Sequence, residues 1–246
     1  NAVASAGDVN NDGYRDFLIG AHYESSGGTT AGACYLLYGK STLFSGTTIL
    51  NSTNAAKFIG ANDIDLTGED VVSAGDINND NYSDFLIGAY QDDTAGGNAG
   101  AVYLFYGSTG TPFSGTIDLA VTYHAKFIGE SPFDSAGCSV ASAGDVDNDT
   151  YNDFIIGANQ QDTSGTNAGA AYLFYGTPTV FSGTITLNNA NTKFTGESAS
   201  DGAGSSVASA GDVNNDGYSD LLIGAPLHDY GGITVGTAYL VYVYTN

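Results

Sequence analysis

The chain has 246 residues, with 27 Asp or Glu against 5 Lys or Arg and a formal charge of −22, although only 13% of its residues are charged. That imbalance argues against nucleic acid and anionic membrane as partners, because both are bound through basic patches. No apolar run reaches eighteen residues, so no transmembrane span is expected, while 42% apolar residues supply a good core and 35 glycines suit tight hairpins.

Taken in chain order, the same four phrases recur. A small, alternating segment comes first: Asn1 to Gly7, then Ser139-Val140-Ala141-Ser142-Ala143-Gly144 and Ser206-Val207-Ala208-Ser209-Ala210-Gly211. An acidic turn follows, and then a short apolar run ending in Gly-Ala, such as Phe85-Leu86-Ile87-Gly88-Ala89. A Gly/Asp/Thr-rich turn leads to an aromatic third segment, Gly100 to Gly107 in the second copy. The fourth is shorter and more polar, as in Ala125-Lys126-Phe127-Ile128-Gly129 and Thr192-Lys193-Phe194-Thr195-Gly196. Short alternating or apolar runs between turn signals read as strands, and no helical periodicity competes with them.

The acidic turn has the form Asp-x-Asn/Asp-x-Asp-x-Tyr-x-Asp, and its first aspartates recur after 68, 69 and 67 residues. The chain is therefore a repeat array. Alternate positions of a tight loop can point oxygens at one centre, which is what a hard divalent cation requires. The candidate ligands are Asp8, Asn10, Asp12, Tyr14 and Asp16; Asp76, Asn78, Asp80, Tyr82 and Asp84; Asp145, Asp147, Asp149, Tyr151 and Asp153; and Asp212, Asn214, Asp216, Tyr218 and Asp220. Each Tyr offers its backbone carbonyl and the others their side chains. The expected cofactor is Ca²⁺, about four ions, one per repeat. Solvated hairpin turns alone do not demand Asp at the first, fifth and ninth positions every time. An EF-hand needs a Glu at position twelve and flanking helices; this chain has Ile19, Ile87, Ile156 and Ile223 there, between strands. Three carboxylates in each of three loops and four in the third account for thirteen of the 27 acids, and four Ca²⁺ would take the charge from −22 to −14. The sixth loop position turns sharply and suits Gly13, Gly217 and Asn81, whereas β-branched Thr150 should be strained there.

Four short strands per unit describe a propeller blade, with the Ala/Ser/Gly strand innermost, where bulky side chains would not fit. Tyr35, Tyr103, Tyr172 and Tyr239 recur at one blade position and read as packing. These residues together resemble the FG-GAP repeats of the integrin alpha-subunit propeller. Gly-Ala-Pro is kept at Gly224-Ala225-Pro226, while the other copies read Gly20-Ala21-His22, Gly88-Ala89-Tyr90 and Gly157-Ala158-Asn159; the Phe-Gly position reads Thr67-Gly68, Ala136-Gly137 and Ala203-Gly204. The resemblance implies an all-β fold, a β-propeller built from four FG-GAP-type blades of four antiparallel strands with incomplete terminal blades. The whole of 1–246 reads as one repeat domain, with blades at approximately 1–60, 61–129, 130–196 and 197–246. It also implies calcium in the hairpin between the first two strands of each blade, and it does not imply integrin ligand binding.

The leading expectation is a non-enzymatic, calcium-binding module of adhesion or structural type, extracellular or at the cell surface. A carbohydrate-binding propeller is the alternative, and a secreted hydrolase or lyase the more distant one. His22, His124 and His228 stand in no catalytic spacing, and His22 and His228 read as surface-loop residues. Cys34 reads as a small buried hydrophobe, and no bridge to Cys138 is expected between non-adjacent repeats. The absence of Met reads as a processed chain or part of a longer one. Asn51-Ser52-Thr53 is a glycosylation sequon, while those at Asn81 and Asn148 fall inside the acidic loops. Asn1 aligns within a first strand and Tyr242 within a third, so the last unit lacks its Lys-Phe-x-Gly strand. The strand expected to complete it comes from another copy, joined head to tail into oligomers or fibres, or from a part of the chain outside these 246 residues, a trimmed single propeller being the alternative; otherwise the partner is another extracellular protein or a glycan.

Overall fold

The computed structural model describes residues 2–42, 44–47, 50, 55–230 and 232–244, so the sequon asparagine at 51 lies outside the described residues. Blade one holds β1 (Val3–Gly7), β2 (Asp16–Ala21), β3 (Ala33–Leu37) and β4 (Ala55–Ile59). Blade two holds β5 (Val71–Gly75), β6 (Asp84–Ala89), β7 (Ala101–Phe105) and β9 (Ala125–Ile128), with β8 (Gly115–Asp118) between the last two. Blade three holds β10 (Ala136–Gly144), β11 (Asp153–Ala158), β12 (Ala170–Phe174) and β14 (Thr192–Thr195), with β13 (Gly183–Thr186) in the corresponding place. Blade four has three strands, β15 (Ser206–Gly211), β16 (Asp220–Ala225) and β19 (Thr237–Val241), and a small hairpin of β17 (Asp229–Tyr230) and β18 (Ile233–Thr234).

Within a blade every neighbouring pair is antiparallel. Each inner strand has a register shift just before its final glycine, at Gly7, Gly75, Gly144 and Gly211, all with φ between 68° and 80°. The bulge needs a positive φ that glycine reaches without a Cβ penalty, and it turns the chain into the acidic loop.

Side chains alternate between the two faces of each blade. One face leads toward the next blade and the other trails toward the previous one. Leu18, Leu36 and Phe58 on the leading face of blade one pack on Phe85, Ile87 and Phe105 on the trailing face of blade two. Leu86, Leu104 and Phe127 meet Phe154, Ile156 and Phe174 at the next junction, and Ile155 and Leu173 meet Leu221 and Ile223 at the last. Burial on both faces explains the unbroken apolar runs of the second and third strands. The glycine of each Gly-Ala pair has a packing reason as well. A Cβ on Gly20, Gly88 or Gly157 would strike the carbonyl oxygen of Gly68, Gly137 or Gly204 in the following blade.

The sequence pattern misses the strands that tie blades together. β8 leaves blade two and pairs in parallel with β4 of blade one, and β13 of blade three pairs likewise with β9 of blade two. Each begins within a Phe-Ser-Gly-Thr segment, and the phenylalanine just ahead of the strand anchors it: the Phe113 ring lies 5.6 Å from Phe58 and 5.5 Å from both Phe85 and Phe105. The hydroxyl of Tyr38 donates to the Phe113 carbonyl at 3.1 Å, and the hydroxyl of Tyr106 accepts from the Phe181 N–H at 2.7 Å. These strands are short and largely exposed, so no alternation announces them.

Three of the five basic residues also serve the fold. Lys126 Nζ lies 2.7 Å from Asp92 Oδ2 and 4.9 Å from the centre of the Tyr103 ring, and the Tyr103 hydroxyl donates to the same carboxylate at 3.0 Å. Lys57 with Glu24 and Tyr35, and Lys193 with Glu130 and Tyr172, repeat the pairing of an ammonium with a carboxylate and a tyrosine ring. The recurrent tyrosines are packing residues, as read from the sequence, and Tyr103 and Tyr172 are fully buried.

Asp65 sits beside Asp92, almost wholly buried, and burial followed by the Asp92 charge raises its pKa to about 7, although the Asn62 N–H bond opposes the shift. Between about pH 4 and pH 7 the native state therefore keeps a proton that the unfolded chain has released, so stability falls as pH rises through that window. Urea titrations in buffer with excess calcium at pH 5 and pH 8 should show the unsubstituted protein losing roughly 1–3 kcal/mol more than Asp65→Asn. Equal losses would refute the assignment.

Candidate metal centres

Each acidic loop joins the inner strand of its blade to the second strand, so the four loops lie at corresponding places in the blades. The first aspartate organises each turn. Asp8 accepts from the N–H groups of Asp12 and Gly13, at 3.0 and 2.8 Å; Asp76 does so from Asp80 and Asn81, Asp145 from Asp149 and Thr150, and Asp212 from Asp216 and Gly217. The fifth-position carboxylate accepts from the seventh residue, as from Tyr14 to Asp12 at 2.9 Å. Side chains one, three and five are thereby gathered on one side of a turn whose outer residues are open to solvent.

The sixth position has positive φ in every loop: 87° at Gly13, 70° at Asn81, 80° at Thr150 and 94° at Gly217. Thr150 is strained there, as the sequence reading expects. The fourth position is also left-handed, at Asn11, Asn79, Asn148 and Asn215. Asparagine tolerates that region, a signal in all four copies that the ligand reading passes over.

The ninth-position aspartates differ from the others. Asp16, Asp84, Asp153 and Asp220 are fully buried, and each splits its carboxylate between two backbone donors. Asp16 accepts from Val9 at 2.9 Å and Gly39 at 2.8 Å, stapling the loop to the end of the third strand. Ile77 and Gly107, Val146 and Gly176, and Val213 and Val243 serve the other three. Burial, only partly offset by these bonds and reinforced by the neighbouring loop carboxylates, pushes Asp16 to about 6, Asp84 to about 8 and Asp153 to about 7. Each oxygen retains a lone pair.

The donor set fits a hard cation. Asp145, Asp147 and Asp149 each bring a carboxylate oxygen within 4.8 Å of the others, and Asp147 Oδ1 is buried without a hydrogen-bond partner. Like charges this close are unfavourable without a counter-ion, which raises the Asp147 pKa after the contribution of burial itself. Each loop is also coupled to its neighbour: Ser83 N–H donates to the Asp8 carbonyl at 3.0 Å, Asn152 to Asp76 at 3.0 Å and Ser219 to Asp145 at 3.1 Å.

The histidines are engaged elsewhere. His22 is buried, contrary to its reading as a surface residue, because its Nδ1 lies 3.0 Å from Glu69 Oε2 at the junction of the first two blades. His228 Nδ1 lies 3.2 Å from buried Asp201, and His124 Nδ1 accepts from the Tyr106 N–H at 2.8 Å. Cys34 is buried and Cys138 partly so; both are free thiols whose pKa is raised chiefly by burial. No helix among the described residues is long and apolar enough to cross a membrane.

Comparison with known proteins agrees with this architecture. The FG-GAP repeat model matches residues 1–37, 70–105, 139–174 and 203–244, together more than half of the chain. Integrin alpha-5 of Xenopus laevis is 30% identical over 234 residues, which is 90% of this chain and 19% of that protein. Human integrin alpha-6 is 31% identical over 152 residues and human integrin alpha-11 is 32% identical over 164, covering 61% and 64% of this chain and 12% of each relative. The chain thus spans a fifth or less of the relatives it matches. Integrin alpha chains are cell-surface proteins, and this chain is accordingly extracellular or at the cell surface. Four matched repeats, the all-β blades and the acidic hairpin in each show that the chain belongs to the FG-GAP repeat family of integrin-alpha-like propellers.

Proposed function

We propose that residues 1–246 work as one calcium-binding repeat domain, a non-enzymatic adhesion or structural module whose partners are extracellular proteins or further copies of itself. The observation that carries the calcium reading is the unpartnered, buried Asp147 oxygen within a cluster of three carboxylates, in a loop form repeated four times. In each loop the side chains at positions one, three, five and nine and the carbonyl at position seven would hold the ion, which supplies charge neutralisation and no chemistry. Calorimetric titration of the metal-free protein should give about four Ca²⁺ per chain, and a stoichiometry near zero would end the reading.

The third loop tests the ligand set. Its fourth carboxylate offsets the strain at Thr150, so Asp147→Asn should lower occupancy of that site under limiting calcium by about tenfold in affinity. Asp118→Asn, at an exposed acid outside the loops, is the control. Equal occupancy in both variants would contradict the assignment.

A glycan partner has one observation in its favour, an open polar cavity of about 290 Å³ lined by Glu69, Tyr90, Cys138, Asn159, Gln160 and Ser205, where strand ends of blades two, three and four meet. Asn159 Oδ1 is buried there without a partner. A glycan array that distinguishes the natural chain from Glu69→Gln would favour this second reading, and uniform lack of binding would remove it.

A further inference from the structure

Three fourth-strand lysines face carboxylates, but only one of these pairs is sealed from water on both sides. The side chains of Lys126, on β9, and Asp92, in the loop after β6, are 7% and 0% exposed, whereas Glu24 and Glu130, opposite Lys57 and Lys193, are 24% and 17% exposed. Each oxygen of the buried carboxylate has its own donors. Oδ1 accepts from the Thr94 N–H at 2.8 Å, while Oδ2 accepts from the Tyr103 hydroxyl at 3.0 Å and from Lys126 Nζ at 2.7 Å. Nζ also donates to Thr94 Oγ1 at 2.6 Å. A second buried carboxyl, Asp65, responds to the charges of both partners, and an open polar cavity of about 200 Å³, whose lining includes Asn62, Thr94, Tyr123 and Thr184, borders Lys126.

We propose that Lys126 and Asp92 condense, without an enzyme, into an amide between Nζ and Cγ, a covalent strut from the fourth strand of blade two to the loop after its second strand. This goes beyond the proposed function and does not depend on the metal or on the partner. The resting ion pair is unreactive, because the nucleophile has to be an amine and the electrophile a carboxylic acid. Transfer of one proton from Nζ to Oδ2 supplies both. Burial penalises the charged form of each group and so narrows the gap to that neutral pair. Asp65 acts in the same direction: it keeps its proton up to about pH 7, so below that pH no second carboxylate holds Lys126 as an ammonium.

The contacts serve each later step. A nitrogen hydrogen-bonded to one carboxyl oxygen stands roughly 3.5 Å from the carboxyl carbon, which is near-attack distance. As the Nζ lone pair forms the bond to Cγ, negative charge grows on Oδ1, where the Thr94 N–H is already in place. The Cγ–Oδ2 bond then breaks. Oδ2 carries the first proton, receives the second from Nζ by way of the Tyr103 hydroxyl, and leaves as water into the cavity. One amine and one acid give one amide and one water, and nothing is oxidised or reduced. Because Lys126 holds the Asp92 carboxyl below its usual range, the neutral pair is a minor form and the bond accumulates slowly after folding. Newly folded protein therefore carries the ion pair, and it is the reference for substitutions at Asp92.

Trypsin reads the bond directly. The only basic residue between Lys57 and Lys193 is Lys126, so the unreacted chain, once denatured, yields peptides 58–126 and 127–193. An acylated lysine is not cleaved. After several days in excess calcium the unsubstituted protein should give a growing share of a single peptide 58–193, lighter by one water than its sequence, with cleavage after Lys57 and Lys193 complete. Its melting midpoint should rise with that share, because the link joins residues 34 positions apart. Lys126→Arg keeps a cation beside Asp92 but offers no nucleophile, so it should keep its full mass. Tyr103→Phe should slow the loss of water by about a hundredfold, and an unchanged rate there overturns the proton route. Full mass and complete cleavage after Lys126 in the aged unsubstituted protein overturn the proposal. So does a loss of water that persists in Lys126→Arg, since Asp12-Gly13, Asp201-Gly202 and Asp216-Gly217 lose water by closing an imide instead.

Discussion

Excess chelator should lower the melting temperature of the protein by at least about 10 °C. A ligand present at a hundred times its dissociation constant stabilises the native state by about 2.7 kcal/mol per site, so four independent sites would contribute about 10 kcal/mol. In a domain of this size each kcal/mol moves the midpoint by roughly 2–4 °C. Two features of the molecule make the effect global. The ninth-position aspartates staple each loop to the end of the third strand, as Asp84 does between Ile77 and Gly107, and without cations they remain buried beside the other loop carboxylates. The loops are also bonded from blade to blade through Ser83, Asn152 and Ser219, so loosening one loosens a junction. Calorimetry with and without chelator checks this, and an unchanged midpoint would show that the loops hold themselves without metal.

The second large effect is expected at Asp92. Burial alone would raise its pKa, but the charge and hydrogen bond of Lys126, with donors from Thr94, hold the carboxyl below the usual range. Asp92→Ala removes the carboxylate, leaving the buried ammonium with the Thr94 hydroxyl but no counter-charge from Asp92 and the buried Tyr103 hydroxyl without its acceptor. Losing one partner of a buried ion pair costs about 3–5 kcal/mol, whereas replacing both partners by apolar groups is often near neutral. Asp92→Ala should therefore lower the midpoint by about 10 °C in saturating calcium. The double variant Asp92→Leu with Lys126→Met should recover most of that loss. If the double variant were as unstable as the single one, packing volume rather than charge would be the cause. The exposed pair Asp229 and Thr234, bonded at 2.7 Å, is the control, and its loss should change stability by less than about 1 kcal/mol.

The repeat, the strand order within each blade and the candidate metal positions were legible in the chain itself, because each is written in local terms. Alternation of period two, Gly-Ala at the end of second strands and aspartates at alternate loop positions act within a few residues. The positive φ at Thr150 followed from the same local logic. The ninth-position aspartates were legible as oxygen donors but not as staples, since their second backbone partner lies 23 residues away. The burial of His22 was hidden for a like reason: the glutamate that holds it belongs to the next repeat.

Tertiary structure alone decided how blades join. The parallel strands β8 and β13 have too little burial to leave a periodic trace, and only the aromatic clusters around Phe113 and Phe181 reveal why the chain crosses to the previous blade. Lys57, Lys126 and Lys193 read as polar interruptions of a fourth strand, yet in the fold their ammonium groups lie against carboxylates and tyrosine rings. The sequence carries the period because hydrogen-bonded hairpins are local; it does not carry the junctions because packing between blades joins residues roughly 50 to 75 positions apart, where only the folded geometry brings a glycine against a carbonyl or one acidic loop against the next.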